Sequence, residues 1–123
     1  MTSKEVDMSI RAARGAIAIR EDTKEEILGA TERLMSTLLQ RNALTPDHLV
    51  SVIFTTTPDL RSAFPAEAAR QMGLSGVPLL CASEIDVEGA MERVVRVLVH
   101  FESEGAAVSH VYMEGAESLR DDL

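Results

Sequence analysis

The chain is expected to fold as an α+β domain in which a mixed β-sheet packs against one long and one short helix. Three observations carry this expectation. Val94 to Phe101 reads VVRVLVHF, a β-branched run with a period of two. Leu49 to Thr56, LVSVIFTT, is a second β-branched run, closed by Thr57-Pro58-Asp59. Between the first strand and that run lies a long segment with apolar residues at helical spacing. The order is strand, long helix, strand, short helix and then three strands, within one domain spanning residues 1–123.

Met1 to Met8 is polar and reads as a flexible extension. Ser9 to Ile19, SIRAARGAIAI, begins a strand of small residues, on which Arg11 and Arg14 face opposite sides. Gly15 and Ala16 leave room for another backbone or a ligand beside Arg14. Thr23 followed by Glu26 is a capping-box pattern, so a helix starts there. Ile27, Leu28, Leu34, Met35, Leu38 and Leu39 form its buried stripe, and Asn42 ends it. Thr45-Pro46-Asp47 gives a short helical turn before the strand at Leu49.

A second, shorter helix runs from Pro65 in its first turn to Gly73 at its end. Phe64 precedes it, placed either as a hydrophobic staple, which local pattern favours, or as a pocket wall. Gly76 and Pro78 open an apolar run, Val77 to Ala82, expected to start at a sheet edge and become buried. Ser109 to Met113 is the last strand and carries the only tyrosine, Tyr112. Residues 114–123 form an acidic tail, expected to be mobile.

Charge and composition narrow the function. With 20 acidic residues against 12 basic ones, a net charge of −8 and a pI near 4.8, the chain is poorly suited to nucleic acid or an anionic membrane. The lone cysteine, Cys81, cannot form an internal disulfide, and His48, His100 and His110 lack metal-ligand spacing. No metal or cofactor site is expected. The first residues have no apolar core of a signal peptide and no window suits a membrane span, so a cytoplasmic protein is the expectation.

The stretch from Val77 to Phe101 holds the candidate chemistry. On the strand at Val94, one face (Val95, Val97, Val99, Phe101) is wholly apolar and must be core. The other carries Val94, Arg96, Leu98 and His100. A guanidinium at the centre of a sheet face needs a carboxylate, a bound anion or solvent, and Glu84, which follows the apolar run Val77 to Ala82, is the candidate carboxylate.

Taken together, RAARGAIAIREDTKEEI, TPDLRSAFPAEAARQMG, VPLLCASEIDVEGAMERVVRV and HVYMEGAESLR resemble the monofunctional α/β-barrel class of chorismate mutase, in order and across nearly the whole chain. That resemblance implies a homotrimer, a pseudo-α/β-barrel in which sheets pack into a barrel-like core and active sites lie in clefts between subunits. The implied reaction is the pericyclic rearrangement of chorismate to prephenate, a step towards phenylalanine and tyrosine. It uses no nucleophile, metal or cofactor, but needs a flexible dianion held compact and positive charge beside the departing ether oxygen.

The resemblance also implies roles. Arg96 stands beside the ether oxygen, and Glu84 accepts the hydrogen bond of the ring hydroxyl while steadying an arginine. Cys81 lines the pocket near that hydroxyl, and Arg14 and Tyr112 contact a carboxylate. Phe64, Ala66 and Arg70 match a wall supplied by the neighbouring subunit, with Arg70 serving the second carboxylate. Leu119 and Arg120 match a tail that closes over the site. Glu67 stands where some relatives carry lysine, Leu80 stands where a threonine can occur, and the tail is short and acidic. Two other readings share the trimeric fold: an imine or enamine deaminase of the Rid type, and a metabolite-binding trimer without catalysis. The Glu84 and Arg96 pair, FPAEAAR and the Leu119-Arg120 end favour the mutase.

Overall fold

The computed structural model describes residues 8–105 and 107–122, with side chains described as far as Arg120. The extension expected at residues 1–8 lies outside them except for Met8, as does Leu123. β1 (Ser9–Ala18), β2 (Leu49–Thr56), β3 (Leu79–Ser83), β4 (Val94–Ser103) and β5 (Val111–Met113) form one mixed sheet in the order β3-β2-β4-β1-β5. α1 (Lys24–Arg41) joins β1 to β2, and α2 (Pro65–Ala69) joins β2 to β3.

β1 and β2 are both antiparallel to β4 and therefore parallel to each other, while β3 runs parallel to β2. Parallel neighbours need crossovers, and right-handed crossovers stepping the same way across a sheet put both helices on one face. The core follows from this. Ile27, Leu34, Met35 and Leu38 of α1 and Ala66 and Ala69 of α2 bury against Val95, Val97, Val99 and Phe101 of β4. Neither α1 nor α2 covers the other face of the sheet, which is termed the helix-free face for that reason.

The start of α1 is half of the expected capping box. Thr23 Oγ1 accepts from the Glu26 backbone N–H at 3.1 Å, but the Glu26 carboxylate turns to the backbone N–H of Arg20 at 3.4 Å. Asn42 closes the helix and ties it to the last strand: its Nδ2 donates to the carbonyls of Leu38 and Ser109, and its Oδ1 accepts from the Ser109 N–H. Gly15 is needed where β1, β5 and α1 converge. A Cβ there would lie 3.0 Å from the Val111 carbonyl oxygen and 3.1 Å from Leu34 Cδ1.

Several expectations change. α2 ends at Ala69, and the chain then widens into a π-type turn over Arg70–Leu74 in which Gly73 adopts φ +94°. β3 becomes only half buried: as an edge strand it pairs with β2, Leu79 and Cys81 pack against the core, and Leu80, on the face that α1 and α2 leave uncovered, is 60% exposed. β5 is shorter than Ser109 to Met113, since Asn42 occupies both backbone groups of Ser109. Within the tail, Glu117–Asp122 forms a 3₁₀ helix, with Leu119 packed against Ala16, Val94, Ala116 and Tyr112 on the sheet face away from α1 and α2.

Candidate active site

Arg96 sits in the middle of β4 on the helix-free face, opposite Thr55 of β2 and Ala16 of β1. Glu84 follows β3 directly, and its backbone N–H donates to the Thr56 carbonyl at 2.8 Å, carrying the β2 and β3 pairing one residue further. This fixes the carboxylate beside the guanidinium. Arg96 Nε donates to Glu84 Oε2 at 3.1 Å, and Thr55 Oγ1 donates to the same oxygen at 2.6 Å. The two side chains are 37% and 20% exposed, so the pair is partly desolvated but still reachable. Among the described residues nothing hydrogen-bonds the terminal nitrogens of Arg96 or Oε1 of Glu84.

Arg96 lines two depressions. One, of about 250 Å³, brings it together with Arg14, Ile53, Thr55, Leu98 and Tyr112. Two guanidiniums and a phenol on an apolar floor form a site for a carboxylate carried by an apolar frame. The other, of about 390 Å³, lies between Arg96 and the 84–93 loop and is rimmed by Asp59, Asp86, Glu88 and Glu92. Chemically, the arrangement offers two cations and one oriented acceptor, which can position a bound anion and stabilise charge.

The remaining candidates lie elsewhere in the single chain. Phe64 is 70% exposed at the start of α2, so it is no staple; it forms one wall of a groove of about 420 Å³ that also contains Cys81, Lys24 and Glu67. Its loop is anchored from the start of α1, where Asp22 Oδ1 accepts from the N–H groups of Arg61 and Ser62. Those N–H groups, Arg61 foremost, hold the Asp22 carboxyl below its ordinary pKa. Cys81 pairs with Phe54, which points into the core, so its side chain is on the opposite face from Arg96. Ala66 is buried in α2 and Arg70 is exposed where α2 ends. One chain thus joins Arg14, Glu84, Arg96 and Tyr112, with Leu119 on the same face, and keeps Phe64, Ala66, Arg70 and Cys81 apart from them.

The Glu67 that stands in place of a lysine has a lysine beside it, since Lys24 Nζ lies 3.5 Å from its carboxylate. Two side chains not singled out in the sequence matter to the geometry. Thr55 orients Glu84, and strict alternation from Phe54 in the core could have placed it facing Arg96. His110 Nδ1 accepts from the Arg14 backbone N–H at 3.0 Å, a contact between residues 96 apart that no local pattern announces. Among the described residues no group of His, Cys, Asp or Glu side chains is placed to hold a metal ion, and no helix is long and apolar enough to cross a membrane.

Comparison with known proteins gives the family. The family model described as chorismate mutase type I matches residues 10–123. The chain is 48% identical over 117 residues to chorismate mutase AroH of Thermus thermophilus, covering 93% of this chain and 96% of the relative. It is 37% identical over 119 residues to chorismate mutase AroH of Bacillus subtilis (strain 168), covering 94% of each. A solved structure of a chorismate mutase from Clostridium thermocellum superposes with a TM-score of 0.86 at 40% identity, covering 88% of this chain and 98% of the other. With the family model matching almost end to end, the chain belongs to the type I chorismate mutase family.

Proposed function

We propose that this protein rearranges chorismate to prephenate in clefts between the subunits of a homotrimer, with Arg96 as the residue that stabilises the transition state. The observation that carries the reading is the geometry of Arg96: Glu84 engages Nε alone, at 3.1 Å, and leaves the terminal nitrogens to donate. In the rearrangement the ether C–O bond breaks as the new C–C bond forms, and negative charge grows on the ether oxygen. A guanidinium carried on a central strand and held by Glu84 meets that charge without reorganising. Glu84 Oε1 accepts the substrate's ring hydroxyl, while Oε2 is held by Thr55 and Arg96. Arg14 and Tyr112 take one carboxylate.

Three features support the interface site. Neither depression lined by Arg96, of about 250 and about 390 Å³, is enclosed within one chain. The helix-free sheet face leaves Ile10 and Leu80 each 60% exposed, an apolar surface suited to burial against another copy. Phe64 lies apart from both Arg96 depressions within one chain and forms a wall of an open groove, while Arg70 is exposed at the end of α2. In the trimer, Arg70 of one subunit serves the second carboxylate at the Arg96 of the next.

Subunit mixing tests this. Arg96→Ala and Arg70→Ala are each expected to be nearly inactive. In a cyclic trimer every mixed assembly regains one intact site of three, so random equimolar mixing should restore about a quarter of wild-type activity. Mixed trimers that stay as inactive as their parents would overturn the placement of Arg70 across the interface.

A further inference from the structure

We propose that His110 is a positioning residue for substrate binding: its neutral imidazole completes the backbone hydrogen bonding of Arg14, and protonation of the ring undoes that support. The inference rests on the reading of Arg14 as a carboxylate contact.

The geometry begins with the β1 and β5 ladder. Parallel pairing starts at Gly15 with Val111 and runs only to Ile17 with Met113. Arg14 is one residue before the ladder, where its N–H has no strand partner in β5. His110, one residue before Val111, fills the gap with a side chain: the Arg14 N–H donates to Nδ1 at 3.0 Å. An acceptor at Nδ1 requires that nitrogen to be unprotonated, which sets the neutral ring as the Nε2–H tautomer. The contact is part-buried, so an unmet N–H there has an energetic cost.

This hydrogen bond bears directly on the site. Arg14 shares its cavity with Arg96 and Tyr112, and Tyr112 is in β5, two residues beyond His110, which immediately precedes that strand. His110 therefore clamps together the two elements that carry Arg14 and Tyr112. Protonation converts Nδ1 from acceptor to donor, so the imidazolium and the Arg14 N–H then oppose each other. It also adds a positive charge between Arg14 on β1 and Arg120 on the C-terminal helical turn. The polar group contributed nearby by α1, Asn42, is uncharged and is engaged by Ser109. Consistent with this surrounding, burial, then Arg14, then Arg120 push the pKa of His110 below its ordinary value.

The test compares the pH dependence of KM and kcat for the purified wild type, His110→Asn and His110→Ala, from about pH 7.5 to about pH 5. Over this range the substrate's carboxylates, with ordinary pKa values of about 4, stay ionised. Asparagine Oδ1 stands where histidine Nδ1 stands and accepts without titrating. His110→Ala is expected to raise KM about tenfold at the upper pH, equivalent to ~1.4 kcal/mol, with kcat within about threefold. His110→Asn should restore most of that loss. Wild-type KM should climb towards the acid end, whereas the His110→Asn profile stays flat. Equal pH profiles for wild type and His110→Asn, or an unchanged KM in His110→Ala, overturn the role of His110. Arg14→Ala separates this from the underlying reading: if it leaves KM unchanged, Arg14 is no substrate contact and the site assignment itself falls. Nitrogen-15 chemical shifts of the ring supply a readout apart from turnover, with an unprotonated Nδ1 expected at neutral pH and a protonated Nδ1 contradicting the clamp.

Discussion

Replacing Arg96 by lysine keeps the charge and removes the fork, which makes it a sharper probe than truncation. In the structure one nitrogen, Nε, is committed to Glu84 at 3.1 Å, and among the described residues the terminal nitrogens have no hydrogen-bond partner; the proposed mechanism gives them to the substrate. A lysine has a single ammonium for both tasks. Held by Glu84, it sits near the position of Nε and presents nothing where the terminal nitrogens were. Drawn to the ether oxygen, it leaves Glu84, 20% exposed, without its counter-charge. Losing one preorganised donor to a developing oxyanion costs about 10²- to 10³-fold in kcat, ~2.7–4 kcal/mol. Stability should change far less. Because Arg96 is 37% exposed, screening limits the ion pair to about 1 kcal/mol or less, and Tm should fall by no more than about 5 °C. The assay is kcat at saturating chorismate, followed by loss of its absorbance, with the oligomeric state checked alongside. If Arg96→Lys keeps kcat within about threefold of wild type in an intact assembly, charge alone suffices and the argument from the divided guanidinium is wrong.

Three further perturbations test the scaffold. Thr55→Val removes the hydroxyl that donates to Glu84 at 2.6 Å; kcat should fall about three- to tenfold with Thr55→Ser restoring it, and an unaffected Thr55→Val would show that Arg96 alone positions Glu84. Gly15→Ala puts a methyl 3.0 Å from the Val111 carbonyl and should cost about 1–3 kcal/mol in urea unfolding; unchanged stability would mean that β5 yields freely. Glu114 is held below the ordinary carboxylate pKa mainly by the Arg33 guanidinium, which binds it at 2.9 Å through Nε and 2.9 Å through Nη2. The folded pKa is the lower one, so this stabilisation is complete above the unfolded value of about 4.3 and is lost as pH falls through the folded value. With Glu114 40% exposed, it amounts to about 1 kcal/mol or less, and Glu114→Gln should flatten the acid limb of Tm against pH by that much.

Much of this was legible in the residues because the signals were local. The period of two on β4 placed Val95, Val97, Val99 and Phe101 in the core and left Arg96 on the other face, as observed. Thr23 and Asn42 bounded α1 by capping chemistry that depends only on neighbours. What was misjudged depends on distant partners. The apolar letters of Val77 to Ala82 describe a strand, but whether it is central or at the edge is decided by topology, and here it has β2 alone beside it. Phe64 looked like a staple because staples are recognised by position, yet its side chain points outward and is 70% exposed. The 3₁₀ helix at the chain end is held by Leu119 docking onto Ala16 and Val94, residues about a hundred and about twenty-five positions away in sequence. The candidate site was legible in the same divided way. Glu84 and Arg96 stood out as charges in apolar surroundings, while Thr55 and His110 act through contacts that exist only once the strands have paired.

The central claim is that Arg96 provides the electrostatic stabilisation for the rearrangement of chorismate. The most direct measurement is turnover of chorismate by wild type and Arg96→Ala side by side, with prephenate confirmed by its acid conversion to phenylpyruvate. The expected result is prephenate formation by the wild type and a loss of several orders of magnitude in kcat by Arg96→Ala in an intact assembly. Near-normal kcat in that variant would contradict the assignment of Arg96, and no prephenate from a correctly assembled wild type would contradict the activity itself.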